Sequence, residues 1–177
     1  MSKNGFETTL ISGPTNLKIN NDINLIQVET ADEMFKATQN NLPTDVAIFS
    51  AAVADFKIKE EEKEKIKKKN YINLNLEKNI DILNYVSNHN SLRPKLVIGF
   101  AAETNNIEEN SKRKLIEKNC DWIIANDVSN KLIGFDSDFN EVTILYKNEK
   151  INDEKLYMKK KSQIANEIID RVVNQLN

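Results

Sequence analysis

Three short segments of this chain set small residues and a functional side chain just after an apolar run of strand length. Ala51-Ala52-Val53-Ala54-Asp55-Phe56 follows Asp45 to Ser50. Ala101-Ala102-Glu103-Thr104 follows Leu96-Val97-Ile98-Gly99-Phe100, and Asn126-Asp127-Val128-Ser129 follows Asp121 to Ala125. Alanines there let a ligand reach the backbone amides, and they serve equally for tight packing of a strand on a helix. The Asp55 carboxylate suits a ribose, a base amino group or a metal, or simply a turn or helix cap. Ten residues on, Lys65-Ile66-Lys67-Lys68 could close over a triphosphate and neutralise charge developing in a transition state. A lysine run is also an ordinary solvated face. Lys114 and Lys118, four apart, share one helix face, as a phosphate clamp or as a solvent surface.

What is absent narrows the chemistry. The one histidine, His89, sits in the polar stretch Ser87 to Asn90 and reads as a loop residue rather than the base of a catalytic triad. One histidine and one cysteine, Cys120, argue against a zinc site. A single cysteine forms no internal disulfide and suits a reducing compartment, with the cytoplasm as the default. The four glycines form neither a dinucleotide fingerprint nor a P-loop, which disfavours a nicotinamide-dependent dehydrogenase. Any bound nucleotide must be held by lysines and helix N-termini instead. A net charge of −2 gives no electrostatic case for nucleic acid or an anionic membrane. Met1 to Glu7 lacks the layout of a secretory signal, and no apolar run reaches bilayer-spanning length.

The elements that must position these residues follow from the pattern. Strands are expected at Thr8 to Ile11, Ile23 to Val28, Asp45 to Ser50, Ile72 to Leu76, Leu96 to Phe100, Asp121 to Ala125 and Val142 to Tyr146, the last paired with a short strand near Lys150. Thr30 with Glu33 forms a capping box that opens a helix, and Pro43 follows its end. Further helices are expected over Asn79 to Val86, over Thr104 to Lys118 with Thr104 as cap, and over Ser162 to Leu176. In the last, Ile164, Ile168, Val172 and Leu176 recur at spacing four. In the helix from Thr104, Glu108–Lys112 and Glu109–Arg113 are pairs four apart. This alternation predicts one α/β domain over residues 1–177 in three layers. Its sheet is mostly parallel, of Rossmann-like and ribokinase-like character, with an antiparallel strand or hairpin near the C-terminal edge.

Taken together, the segments Leu10-Ile11-Ser12-Gly13-Pro14-Thr15, Thr30 to Met34, Ala51 to Phe56, Lys65 to Lys68, Gly99 to Thr104 and Ala125 to Ser129 resemble bacterial phosphopantothenate–cysteine ligase, usually the C-terminal half of a bifunctional flavoprotein. Gly134-Phe135 with Asp138, Asn140 and Val142 also fits. The resemblance spans nearly the whole chain. It implies CTP-dependent activation of 4′-phosphopantothenate to an acyl-cytidylate, release of pyrophosphate, and attack by the cysteine amine with loss of CMP. It implies Mg2+ carried with the CTP, no FMN on this chain, a homodimer in the full-length form, and association with a phosphopantothenoylcysteine decarboxylase. By the same resemblance Phe49, Ser50 and Ala51 form the nucleotide-facing strand end, and Asp55 contacts the cytidine. Lys65 assists acyl transfer from a flexible loop. Ile80, Asp81, Ile82 and Leu83 line the base pocket, although family members often have proline where this chain has Ile80. Phe100 is the aromatic residue beside the nucleotide, and Lys114 and Lys118 contact phosphates. The family pattern begins with a strand, a glycine-containing loop and a first helix, of which Met1 to Gly5 resembles only the helix tail. The alternative expectation is a catalytically inactive nucleotide-binding or interaction module.

Overall fold

The computed structural model describes residues 1–17, 19, 22–60, 73–129 and 137–176. The central feature is a five-stranded sheet built from β3 (Val46–Phe49), β6 (Leu96–Glu103), β7 (Trp122–Asp127), β8 (Phe139–Tyr146) and β9 (Glu154–Lys160), in that spatial order. β3, β6 and β7 run parallel, with Ile48 opposite Ile98 and Phe100 opposite Ile124. β8 and β9 pair antiparallel and form the expected C-terminal hairpin, with an irregularity between Asn140 and Val142. Two smaller sheets stand apart from it. β1 (Thr9–Ser12) and β2 (Asn24–Gln27) form a parallel pair, and β4 (Phe56–Ile58) and β5 (Leu76–Lys78) form an antiparallel arm.

Strand alternation explains the three layers. One sheet face carries Leu96, Ile98, Trp122, Ile124, Val142, Ile144 and Tyr146. Onto it packs α4 (Lys161–Leu176) through Ile164, Ile168 and Val172, the spacing-four stripe seen in the sequence. The other face carries Val97, Ala101, Ile123, Ala125 and Leu145, covered by Leu115 of α3 (Ile107–Glu117) and Leu83 of α2 (Ile82–Ser87). Gly99 lies on this second face, where a Cβ would stand 2.7 Å from Leu83 Cδ2 and 2.9 Å from Ile123 Cδ1. The absence of a side chain at residue 99 is therefore what lets α2 settle on β6. Cys120 is fully buried beside α3, and burial pushes its thiol up to about 11, so it is an inert packing group.

The capping box holds: Thr30 Oγ1 accepts from Glu33 N at 3.1 Å, and Glu33 Oε2 accepts from Thr30 N at 3.2 Å. It opens α1 (Ala31–Asn40), which closes at Asn41 before Pro43. Four local expectations need correction. The strand expected over Ile72 to Leu76 lies at Leu76–Lys78, with Ile72 outside the described residues. The helix expected from Asn79 starts at Ile82, because Asp81 accepts from Asn84 N at 2.9 Å and so becomes the cap. Thr104 caps nothing; α3 starts after Asn106, whose φ of 44° is a left-handed conformation that asparagine tolerates. Arg113 donates to Asn110 Oδ1 at 3.1 Å and lies 3.9 Å from Glu117, instead of pairing with Glu109. The Lys112–Glu108 pair forms at 2.6 Å.

Candidate functional site

The carboxyl ends of β1, β2 and β3 border one cleft of about 610 Å³. Ser12 ends β1 and Gly13 to Thr15 follow it, Val28 to Met34 lead from β2 into α1, and Ala51 to Ala54 follow β3. The β4 arm supplies Phe56, Lys57 and Ile58, and Asn79 completes the lining. This is where an open α/β sheet places its ligands. Ala51 to Ala54 are all exposed, and none carries a side chain larger than that of Val53. The N-terminus of α1 also faces the cleft. Its positive end is partly satisfied by Glu33, whose carboxyl is held below the usual range by the bonds it accepts from Glu29 and Thr30.

Asn79 fixes the shape of the loop after β3. Its Nδ2 donates to Ala54 O at 2.8 Å and its backbone N–H donates to Asp55 O at 2.8 Å, so one residue grips two consecutive carbonyls. The side chain is nearly buried, and its Oδ1 has no protein partner. Lys57 ties the arm to α1 through Asp32 at 2.7 Å.

A second cluster lies beside this cleft on the α2–α3 side of the sheet. Lys118, the C-cap of α3, donates to Asp81, the N-cap of α2. Lys114 meets Glu103, at the end of β6, at 2.7 Å. Burial alone would raise the Asp81 carboxyl, but the bonds from Lys118 and Asn84 outweigh it and hold the group below the usual range. Both lysines are therefore ion-paired. An incoming phosphate would exchange one anionic partner for another at positions already set.

The expected site residues divide as follows. Phe49 and Leu83 pack on the α3 face, Ile82 is buried in α2, and Asp81, Lys114 and Lys118 make the ion pairs. Ala51 lines the cleft, and Asp55 is joined to the same region through Asn79. Ser50 and Ile80 are exposed. Phe100 stands apart: its partner Ile124 belongs to the α4 face, so the Phe100 ring points away from the lysines and is 38% exposed. Only its backbone is shared with the rest of the cluster. Lys65 lies outside the described residues. Sequence reasoning missed Asn79, the arm residues Lys57 and Ile58, and the pairing of Glu103 and Asp81 with Lys114 and Lys118. The one available signal was Asn79 itself, a polar residue between an apolar alternation and the Asp81 cap.

Comparison with known proteins bears on this arrangement. The family model for the DNA/pantothenate metabolism flavoprotein C-terminal domain matches residues 1–176. The chain belongs to this family. As a member of it, the chain is 37% identical over 176 residues to the coenzyme A biosynthesis bifunctional protein CoaBC of Haemophilus influenzae, covering 98% of itself and 43% of that protein. It is 34% identical to the solved C-terminal domain of a coenzyme A biosynthesis bifunctional protein CoaBC, with a TM-score of 0.76, covering 99% of itself and 77% of that domain. The solved DNA/pantothenate metabolism flavoprotein from Streptococcus pneumoniae shares the fold, with a TM-score of 0.78 at 20% identity, over 98% of this chain and 83% of that one. The chain thus spans less than half the length of the bifunctional relative, and its strand-end cleft and paired lysines sit within the flavoprotein C-terminal domain.

Proposed function

We propose that this domain joins 4′-phosphopantothenate to L-cysteine using CTP. The observation that carries the reading is the cleft at the carboxyl ends of β1, β2 and β3, lined by Ala51 and joined to Asp55 through Asn79, with Asp81 two residues further on paired to Lys118, the C-cap of α3. The names of the relatives and the family match support the same reading. The carboxylate of 4′-phosphopantothenate attacks the α-phosphorus of CTP, and pyrophosphate leaves. The cysteine amine then attacks the acyl carbon, the acyl–oxygen bond breaks, and CMP departs as the amine loses a proton. Cytidylation is needed because a carboxylate is a poor acyl donor.

In this reading Phe49, Ser50 and Ala51 present the strand end to the nucleotide, and Asp55 contacts the cytidine. Ile80, Asp81, Ile82 and Leu83 line the base pocket; Phe100, whose ring points to the other face of the sheet, adjoins the nucleotide through its backbone only. Lys114 and Lys118 hold phosphates, and Lys65 assists acyl transfer. Among the described residues no three His, Cys, Asp or Glu side chains gather to hold a metal. Mg2+ is proposed to arrive on the triphosphate. When bound, the ion neutralises phosphate charge.

The full-length form is proposed to be a homodimer that associates with a phosphopantothenoylcysteine decarboxylase. The exposed apolar residues of the arm, Phe56, Ile58 and Leu76, support self-association. The whole of residues 1–177 is taken as one synthetase domain. No described helix is long and apolar enough to cross a membrane. A reducing cytoplasmic setting accords with the buried, unpaired Cys120.

The test is pyrophosphate release by the complete protein. Release is expected only when CTP and 4′-phosphopantothenate are both present, with cysteine required for CMP. Equal release with ATP in place of CTP would remove the nucleotide assignment.

A further inference from the structure

Asn79 stands where three parts of the site meet. It follows β5, it precedes the α2 cap Asp81 by two residues, and it lines the cleft beside the loop after β3. The arm delivers it there. Lys59 N–H donates to Asn75 O and Asn79 N–H donates to Asp55 O, so the Asp55–Asn79 pair is the last rung of the β4–β5 ladder. Beyond that rung the side chain takes over from the backbone, and Nδ2 donates to Ala54 O at 2.8 Å. Peptide units are planar, so fixing the carbonyls of Ala54 and Asp55 also fixes the direction of the Asp55 and Phe56 N–H groups.

The loop has little else to hold it. Among the described residues, this bond from Asn79 is the one hydrogen bond that reaches Ala51 to Ala54. The far side of Asn79 is anchored. Asp81 caps α2 and pairs with Lys118 at the end of α3. The carboxamide therefore links a weakly held loop to a fixed helix start.

The same carboxamide weakens the fold locally. Asn79 is 9% exposed, and its Oδ1 is buried with no hydrogen-bond partner among the described residues. An unpaired buried acceptor is destabilising. The bond from Nδ2 does little to offset this, because Ala54 is exposed and water can serve its carbonyl. A leucine, branched at the same carbon, would keep the backbone rung to Asp55 and bury no orphaned oxygen. Proteins break a local packing rule of this kind mainly at functional sites.

We infer that Asn79 is a positioning residue for the nucleotide. Acting through Ala54 and Asp55, it sets the Ala51–Asp55 loop against the Asp81–Lys118 pair, so that the strand end and the lysine face one ligand. Its own oxygen is buried and touches no ligand. This inference rests on the CTP reading above.

Asn79→Leu in the complete protein tests it, with CTP as the probe. The melting temperature should stay level or rise. In the ligand-free protein, backbone amide shifts should move at Val53–Phe56 and not along β6–β8. The KM for CTP should rise about tenfold, with kcat and the KM values for 4′-phosphopantothenate and cysteine within about twofold. Asn79→Ser is uncharged and one bond too short to reach Ala54 O. It should show the same split, and it decides the question if the leucine variant does not fold. An unchanged KM for CTP in a folded variant would overturn the inference. So would a fall in kcat and melting temperature with KM unmoved, which marks a purely structural role. If the unsubstituted protein binds no CTP by calorimetry, the nucleotide reading falls and takes the inference with it; that failure shows before any substitution is made.

Discussion

Lys118 and Asp81 show how single residues set this site. Asp81 caps α2 and accepts from Lys118 at the end of α3, so one carboxylate joins two helix termini. Because its folded-state acidity is strengthened, the stabilising contribution of Asp81 is complete above the ordinary aspartate range and is lost as pH falls below about 4. Asp81→Ala should cost about 1 kcal/mol through loss of the cap and should flatten that acid dependence, as measured by denaturant unfolding between neutral and acid pH. Lys118→Met should leave folding intact and weaken CTP binding by about tenfold, since one charge-assisted phosphate contact is removed. Unchanged binding by calorimetry would take Lys118 out of the phosphate site. At this scale the sequence is partly readable. Small residues behind apolar runs mark Ala51 and Asp55, and spacing four places Lys114 and Lys118 on one face. The acids they meet are not readable, because Asp81 lies 37 residues from Lys118 and is brought to it only by packing of α2 on Gly99.

Among the elements, the β4–β5 arm departs most from what the pattern foretells. Its strands are three residues each, too short for a period-two signal to stand out from the Asp55 turn and the charged run that follows. Phe56 lies opposite Lys78 and Ile58 opposite Leu76, so these side chains share one outward face. Lys57 points the other way, to Asp32 of α1. Phe56 and Leu76 are each 58% exposed. If this face mediates self-association, Phe56→Asp should weaken the dimer at least about tenfold in sedimentation velocity, since it places a charge in an apolar contact. The melting temperature of the protomer should barely change. An unaltered dimer would place the interface elsewhere. The longer elements are legible because their cues are redundant: a full capping box for α1, a continuous apolar run for β6, and a four-residue stripe for α4. The start of α3 is not, because Thr104 has the right chemistry for a cap, whereas the chain turns at Asn106 through backbone conformation.

Across the whole molecule, the buried core is the β6–β9 sheet between α3 and α4, and it closes through Tyr146, Glu154 and Arg171. Tyr146 OH donates to Glu154 Oε1 at 2.7 Å, and Arg171 donates twice to Glu154 Oε2, at 2.9 and 2.7 Å. Burial, then the bond to Glu154, pushes the Tyr146 phenol far above its usual range. A raised value stabilises the fold below the ordinary tyrosine pKa and is lost as pH rises through the folded one. Spectrophotometric titration should therefore leave one of the four tyrosines un-ionised well past the ordinary midpoint of about pH 10, until alkaline unfolding releases it. Full ionisation in a single step near that midpoint would contradict this tie. The sheet order is legible in outline from strand–helix alternation. The separation of the β1–β2 pair from the five-stranded sheet is not, because alternation alone does not say which strands hydrogen-bond to one another. The carboxyl ends of β1, β2 and β3 hold the cleft, and the proposed ligation requires CTP to bind there. Mapping backbone amide shifts of isotope-labelled protein during a CTP titration tests that claim most directly. Shifts should concentrate at Ala51–Asp55, Asn79–Leu83, Lys114 and Lys118, with β8, β9 and α4 unmoved; shifts confined to β8–β9 and α4, or none at saturating CTP, would contradict it.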